Sequence, residues 1–256
     1  MADFFRHIHL ESTTSTNSEM KAMASELEAN TVISATEQSA GRGQRGNTWE
    51  SVPGANVTMS MLLKPQHIRG AEQFYVSQIV ALAVADVVDA ILNRSESGRD
   101  RRVGVKWPND IYVDDEKICG ILIENTLSGT SIVHSVAGIG LNVNQERFVS
   151  DAPNPVSLRQ LTGCSYDVGE VTELIAGRII ALMDEYDRAG ADYSGLQAAY
   201  NLRLWRRDGL HPYVDKLTDE HISASIDNVA PNGIMTLRLA DGTMRSYAFK
   251  EVAAVI

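Results

Sequence analysis

The stretch RVGVKWPNDIYVDDEKICGILIENTLSGTSIVHSVAGIGLNVN, Arg102 to Asn144, decides how the chain is read. It divides into four runs rich in Val, Ile and aromatic residues: RVGVKW, DIYVD, KICGILIEN and SIVHSVAGIGLNVN. Turn formers such as VDDEK and LSGT separate them. Connections of hairpin length join neighbouring strands head to tail, so the pairing here is expected to be mainly antiparallel. Upstream, RHIHL reads as a strand, and STTSTNSEMKAMASELEAN as a capped helix with Met20, Met23, Ala24 and Leu27 on one face. TVISATEQ and NVTMSMLLK are two further strands, and Gly70 to about Asn93 carries the pattern of a long core-packing helix. SESGRDRR is a polar connector. Downstream, the loop SDAPNPVSL leads to two helices, Val168 to Ala189 and Ser194 to Leu204. From WRRDGLHPYV onward the texture changes to short strands with turns at TDE, APNG and ADG. The expected architecture is α+β: a mixed, mainly antiparallel sheet flanked by helices over residues 1–204, then a small β-barrel-like domain over 205–256.

At 256 residues, with 44% hydrophobic and 22% charged side chains, the chain has the balance of a globular protein with ample core. A net charge of -10 argues against non-specific binding to nucleic acid, which depends on cationic neutralisation of phosphates. The amino terminus MADFFRHIHL is too short and polar for a signal peptide. The most apolar run, QIVALAVADVVDAIL, is interrupted by Asp86 and Asp89. The expectation is a cytoplasmic protein with neither a nucleic-acid nor a membrane partner. Cys119 and Cys164 have no CxxC or metal-ligand spacing and read as reduced structural thiols. The six histidines are scattered without zinc spacing, GxxxxGK[ST] and GxSxG are absent, and GIGLNVN lacks the dinucleotide spacing GxGxxG. Zinc, P-loop, dehydrogenase and serine-nucleophile chemistry are thereby disfavoured.

Four clusters carry polar or glycine residues that a plain scaffold would not need. The first is Ser15, Thr16 and Asn17, which also reads as a helix N-cap. The second is EQSAGRGQRGNTWES, Glu37 to Ser51, whose glycines allow close backbone approach and whose Arg42 and Arg45 offer forks suited to carboxylate or phosphate. The third is KWPND, in which Lys106 is a phosphate-seeking cation and Asp110 a possible Mg2+ ligand, although Pro108 and Asn109 are ordinary turn formers. The last pairs Lys117 with CGILIE and GIGLNVN; by default Lys117 is a snorkelling edge lysine and Glu124 a strand-end surface residue.

In order, STN, EQSAGRGQRGNTW, KWPND, KICGILIE and GIGLNVN resemble the catalytic-domain signature of biotin protein ligases, from Phe5 to about Leu204. The final segment resembles that family's small SH3-like carboxy-terminal domain. The resemblance implies a biotin/lipoate ligase-like fold and a reaction in two halves. ATP and biotin, with Mg2+, give biotinyl-5'-AMP and pyrophosphate, and a lysine of a biotin carboxyl carrier protein or domain then takes the biotinyl group. It implies Arg42, Lys106 and Lys117 as catalytic residues, with Asp110 holding the metal. Ser15, Thr16, Asn17 and Gln38 would hydrogen-bond biotin, while Gly41, Arg42, Gly43, Gln44, Trp49, Lys117 and Gly120 complete its site. Arg42, Arg45, Lys106, Asn109, Lys117 and Asn142 would hold ATP or the adenylate.

Two departures from the family pattern matter. Gln44 replaces the third basic residue of GRGRRG, so the loop has less charge with which to retain an adenylate. The first catalytic strand begins near Phe5, which leaves no room for the amino-terminal helix-turn-helix domain of some members, so a repressor role is not expected. The competing readings are a lipoate or octanoate ligase or transferase on the same fold, and a non-catalytic biotin-binding module. The sequence leaves a monomer and a homodimer equally open.

Overall fold

The computed structural model describes residues 5–149, 154–188 and 192–256, without the side chain of Arg45. Seven strands form the larger sheet: β1 (Arg6–Thr13), β2 (Thr31–Gln38), β3 (Val57–Leu63), β4 (Val103–Lys106), β5 (Asp110–Val113), β6 (Glu116–Ser128) and β7 (Ser131–Leu141). Their order is β1-β2-β3-β7-β6-β5-β4. Only β1 and β2 run parallel, joined through α1 (Thr16–Met23); every other neighbouring pair in this sheet is antiparallel. The β5–β6 hairpin turns at Asp114 with φ 54°, and the β6–β7 hairpin at Gly129 with φ 60°, a conformation suited to glycine.

The strands alternate between two faces, and each face meets a different layer. On one side Val32, Met61, Ala137, Ile139 and Ile121 join the main core beneath α2 (Phe74–Leu92) and α4 (Val168–Arg188). On the other, Ile33, Leu62 and Val136 pack with Met20, Ala24 and Leu27 at α1. Helix α2 is long and apolar enough to cross a membrane, but 78% of that window is buried inside the protein. Its interrupting carboxylates are used laterally: Arg178 holds Asp86 at 2.7 Å and Arg203 holds Asp89 at 3.0 Å. The short α3 (Leu158–Thr162) lies where sequence reading gave only a loop. Its signal was the Ser157-x-x-Gln160 capping box, in which Gln160 N donates to Ser157 Oγ at 3.2 Å and Ser157 N to Gln160 Oε1 at 2.9 Å. Of the two expected later helices, the first ends at Arg188 among the described residues, with Ala189 outside them, and α5 (Ser194–Leu202) stops two residues before the expected Leu204.

After α5 the chain returns to the edge of the larger sheet. Val105 N donates to Arg203 O and Trp205 N to Val105 O, both at 2.8 Å, and the indole Nε1 of Trp205 donates to Asp114 O at 2.7 Å. The second sheet follows: β8 (His211–Asp215), β9 (Glu220–Val229), β10 (Met235–Leu239), β11 (Met244–Tyr247) and β12 (Val252–Ala254). Its order is β11-β10-β9-β8-β12, antiparallel throughout. The short strands and turns match the expectation for this segment, but the sheet is open: β11 and β12 stand at opposite edges, and no ladder among the described residues closes a barrel.

Candidate functional site

Strand register assembles the site on the α1 face. Lys106 is opposite Asp110, Asp110 opposite Gly120, Gly120 opposite Gly140, and Gly140 opposite Thr58, which gives one row across five strands. Cross-strand partners share a face, so the register presents this row together. The next row is Ser60–Gly138–Leu122, and the next Leu62–Val136–Glu124. Gly120, Gly138 and Gly140 are a floor without side chains. A Cβ on Gly120 would come within 2.8 Å of the Trp49 indole; one on Gly140 would collide with the same ring, and one on Gly138 with the Asn17 amide. Those clashes explain why glycine is required where β6 and β7 otherwise carry bulky residues.

Above the floor lies the loop between β2 and β3. Gly43 N donates to Asn47 O at 2.7 Å and Trp49 N to Gly41 O at 3.0 Å, which folds it into a small hairpin. That hairpin puts Trp49 on the glycines and Arg42 over β6. Arg42 meets Glu124 through both terminal nitrogens, at 3.2 and 3.4 Å. Glu124 also receives Asn17 Nδ2 and Lys21 Nζ, each at 3.0 Å. Burial alone pushes the Glu124 carboxyl up, but hydrogen bonds from Asn17 and Lys21, with the charges of Arg42 and Lys21, bring it below its ordinary value. The reading of Glu124 as a strand-end surface residue is therefore corrected: it is a hub joining α1, the loop and β6. By alternation Glu124 falls on the face opposite its neighbour Ile123, which packs on the main core, and periodicity alone reads that opposite face as surface.

The hydroxyl and amide end is a connected relay. Thr16 N and Oγ1 donate to Gln38 Oε1 at 2.8 and 3.2 Å. Ser60 Oγ lies 2.8 Å from Thr16 Oγ1 and 2.6 Å from Asn17 Oδ1, so one proton serves two acceptors. Ser15 occupies the N-cap position of α1, yet its side chain makes no capping bond. Ser60 was not singled out from sequence; its signal was a hydroxyl in the wholly buried strand β3.

At the cationic end, Lys117 Nζ is 2.8 Å from Asp110 Oδ1 and 5.8 Å from the centre of the Trp49 ring. Lys106 Nζ donates to Tyr112 Oη at 3.0 Å and lies 5.5 Å from the centre of the Trp205 ring. Burial lowers the Lys106 pKa; Asp110 opposes that shift, while Lys117 and Arg206 add to it. Two expected adenylate contacts have structural bonds: Asn109 Nδ2 donates to Ile121 O at 2.7 Å, and Asn142 Nδ2 to Val156 O at 3.0 Å. The Arg45 side chain lies outside the described residues. Among the described residues no group of three His, Cys, Asp or Glu side chains could hold a metal. Asp110 is a single carboxylate, paired here with Lys117, and so could supply one protein ligand at most to a metal ion.

Of the expected site residues, Ser15, Thr16, Asn17, Gln38, Arg42, Gly43, Gln44, Trp49, Lys106, Asn109, Asp110, Lys117, Gly120 and Asn142 line one cavity of about 1020 Å3, and Gly41 lies outside its lining. The smaller sheet supplies its far wall through Tyr213, Lys216, Phe249 and Lys250. Sequence reading assigned none of these four, because a contact between two sheets leaves no local pattern. Trp107 also bridges the sheets: its Nε1 donates to Gly233 O at 3.1 Å, and its ring meets Phe249 edge-on at 6.2 Å.

Comparison with known proteins places this arrangement among relatives. The family model described as "Biotin/lipoate A/B protein ligase family" matches residues 8–142. The biotin--[acetyl-CoA-carboxylase] ligase of Paracoccus denitrificans is 34% identical over 185 residues, covering 69% of this chain and 74% of that protein. The bifunctional ligase/repressor BirA of Escherichia coli K12 is 29% identical over 178 residues, covering 69% of this chain but 53% of its own length. In three dimensions, the biotin protein ligase of Aquifex aeolicus, solved in complex with biotin and ATP, superposes with a TM-score of 0.78 at 21% identity. That alignment covers 98% of this chain and 99% of the other, and it supports the fold.

Proposed function

The chain belongs to the biotin/lipoate A/B protein ligase family, and we propose that it is an ATP-dependent biotin protein ligase. In the first half-reaction biotin's carboxylate oxygen bonds to the α-phosphorus of ATP, the bond to pyrophosphate breaks, and biotinyl-5'-AMP is retained. In the second, a lysine amine of a biotin carboxyl carrier domain bonds to the anhydride carbonyl and AMP leaves. The observation that carries this reading is the meeting of two unlike ends in one cavity, a hydroxyl–amide relay and a cluster of cations.

The relay suits a ureido group, which offers donors and an acceptor at once. Ser15, Thr16, Asn17 and Gln38 take that end, and Trp49 over Gly120 walls the ring and valeryl chain. Gly41 and Gly43 shape the hairpin, and Gln44 lines the same space. Arg42, Lys106 and Lys117 offset the repulsion between a carboxylate and a triphosphate and stabilise charge as the phosphoryl group transfers. For Arg42 and Lys117 this means leaving present partners, Glu124 and Asp110, for the ligand's anions. Asp110, once released from Lys117, would hold Mg2+, which would screen the triphosphate when bound. Arg45, Asn109 and Asn142 complete the adenylate contacts. We place the domain boundary near Trp205, as 1–204 and 205–256; the start of the second sheet at β8 (His211–Asp215), a few residues on, supports it. We place the reaction in the cytoplasm; the two free cysteines, Cys119 and Cys164, suit a reducing compartment.

The test is to incubate the protein with Mg-ATP, a carrier domain and either labelled biotin or labelled lipoate, and to follow pyrophosphate and covalent label. Label and pyrophosphate with biotin are expected. Label from lipoate alone would establish the acyl-ligase alternative, and tight biotin binding without pyrophosphate the non-catalytic one.

A further inference from the structure

Of the three cations assigned to the triphosphate, two are already paired: Arg42 with Glu124 at 3.2 Å and Lys117 with Asp110 at 2.8 Å. Lys106 differs. Among the described residues it forms no ion pair, although Asp110 lies opposite it across β4 and β5, because that carboxylate is taken by Lys117. Neutral groups hold its ammonium instead. Nζ donates to Tyr112 Oη at 3.0 Å and stands 5.5 Å from the centre of the Trp205 ring, within reach of a cation–π contact. Partial burial of an ammonium without a carboxylate is costly, so a fold that keeps one needs a use for it.

Both neutral contacts are themselves fixed. Tyr112, two residues along β5 from Asp110 and so on the same face, is wholly buried and lines no part of the cavity. The Trp205 ring packs on it, with centroids 5.1 Å apart. Gly104, opposite Tyr112, lets the Trp205 backbone close on β4: a Cβ there would come within 3.1 Å of Trp205 Cα. The guanidinium of Arg206 lies 4.1 Å from the centre of the same indole, and its nitrogens are bound to Val255 O at 2.7 Å and Asp115 at 3.2 Å.

We propose that Tyr112 and Trp205 are positioning residues for Lys106, holding its ammonium in the cavity wall as a cation with no partner to give up when the triphosphate arrives. The inference rests on the ligase reading above for the identity of that anion. An incoming phosphate must replace Glu124 at Arg42 and Asp110 at Lys117, but it displaces no anion from Lys106. A phenol oxygen and a ring orient the charge without neutralising it, whereas a carboxylate in their place would compete with the phosphate. Because Tyr112 is outside the cavity lining, it acts on a ligand through Lys106 rather than by touching it.

A double-mutant cycle in the full-length protein tests this. The readout is calorimetric affinity for the Mg2+ complex of α,β-methylene-ATP in saturating biotin, a nucleotide whose bridging carbon blocks pyrophosphate release. Tyr112→Phe keeps the ring and removes only the oxygen. It should weaken nucleotide binding by about tenfold, as for loss of a hydrogen bond to a charged group, with biotin affinity within about twofold of wild type. Trp205→Leu should weaken nucleotide binding by about fivefold, near the worth of a cation–π contact. In a Lys106→Met background each change should have less than about a twofold further effect, whereas a merely structural role would weaken binding equally in both backgrounds. Wild-type nucleotide affinity in Tyr112→Phe would overturn the assignment, as would a loss that persists undiminished without Lys106. The cycle needs no turnover. Coupling to Lys106 in a protein that releases no pyrophosphate from biotin and ATP would sink the ligase reading and leave this assignment standing; pyrophosphate release without the coupling would do the opposite.

Discussion

The two faces of the larger sheet are built from the same strands and do opposite work. Along β7, Ala137, Ile139 and Leu141 enter the core under α2 and α4, while Gly138 and Gly140, between them, leave the floor on which Asn17 and Trp49 lie. The core face is largely apolar side chain; the α1 face is apolar at Ile8, Leu10, Ile33, Leu62, Val136 and Leu122, and beyond them turns to glycine, hydroxyl and charge. A rigid apolar face can support an opposite face kept bare for a ligand, because alternation lets one strand serve both.

Substitutions one residue apart should separate these roles. Ile139→Ala, on the core face, should lower unfolding free energy by about 2–5 kcal/mol through its cavity, with pyrophosphate release per folded molecule within about twofold; denaturant titration and the assay together check both. Gly140→Val should do the reverse. Its side chain displaces Trp49, and calorimetry should find biotin affinity reduced about a hundredfold, as for a misplaced binding wall, with little change in denaturant midpoint.

Glu124→Gln should have a smaller effect, because the amide keeps an acceptor for Asn17 and loses only the charge facing Arg42 and Lys21. Biotin affinity should fall by about fivefold, about 1 kcal/mol, near the worth of one ordinary hydrogen bond. Because the folded carboxyl titrates below its ordinary 4.5, its contribution is fully present above that value and lost as pH falls through the lowered one. The wild type should show that acid step in biotin affinity, and the variant should lack it. Smallest of all, Gln44→Arg should slow adenylate dissociation a few-fold by restoring charge to the loop; an unchanged rate would show that Gln44 has no bearing on retention.

The sequence was most legible where structure is local. Hairpin turns at Asp114 and Gly129, strand alternation and the buried pattern of α2 all follow from neighbouring residues. The loop, KWPND and Lys117 could be found because glycine, arginine and lysine break that pattern. What stayed hidden depends on contacts far apart in the chain. Glu124 becomes a hub only when residues 17, 21 and 42 converge on it, and Lys216 and Lys250 join the cavity only because the smaller sheet docks beside Trp107. The open edges of that sheet were missed for the same reason, since strand content does not say whether the ends meet.

The central claim is that the cations on the α1 face drive adenylate formation without holding the fold together. Lys117→Ala tests it most directly, with thermal unfolding and pyrophosphate release measured on the same preparation in biotin and Mg-ATP. The account predicts a melting temperature within a few degrees of wild type and pyrophosphate release reduced by about a thousandfold, as when an electrostatic stabiliser of the transition state is removed. A folded variant that releases pyrophosphate at a near-normal rate would contradict it.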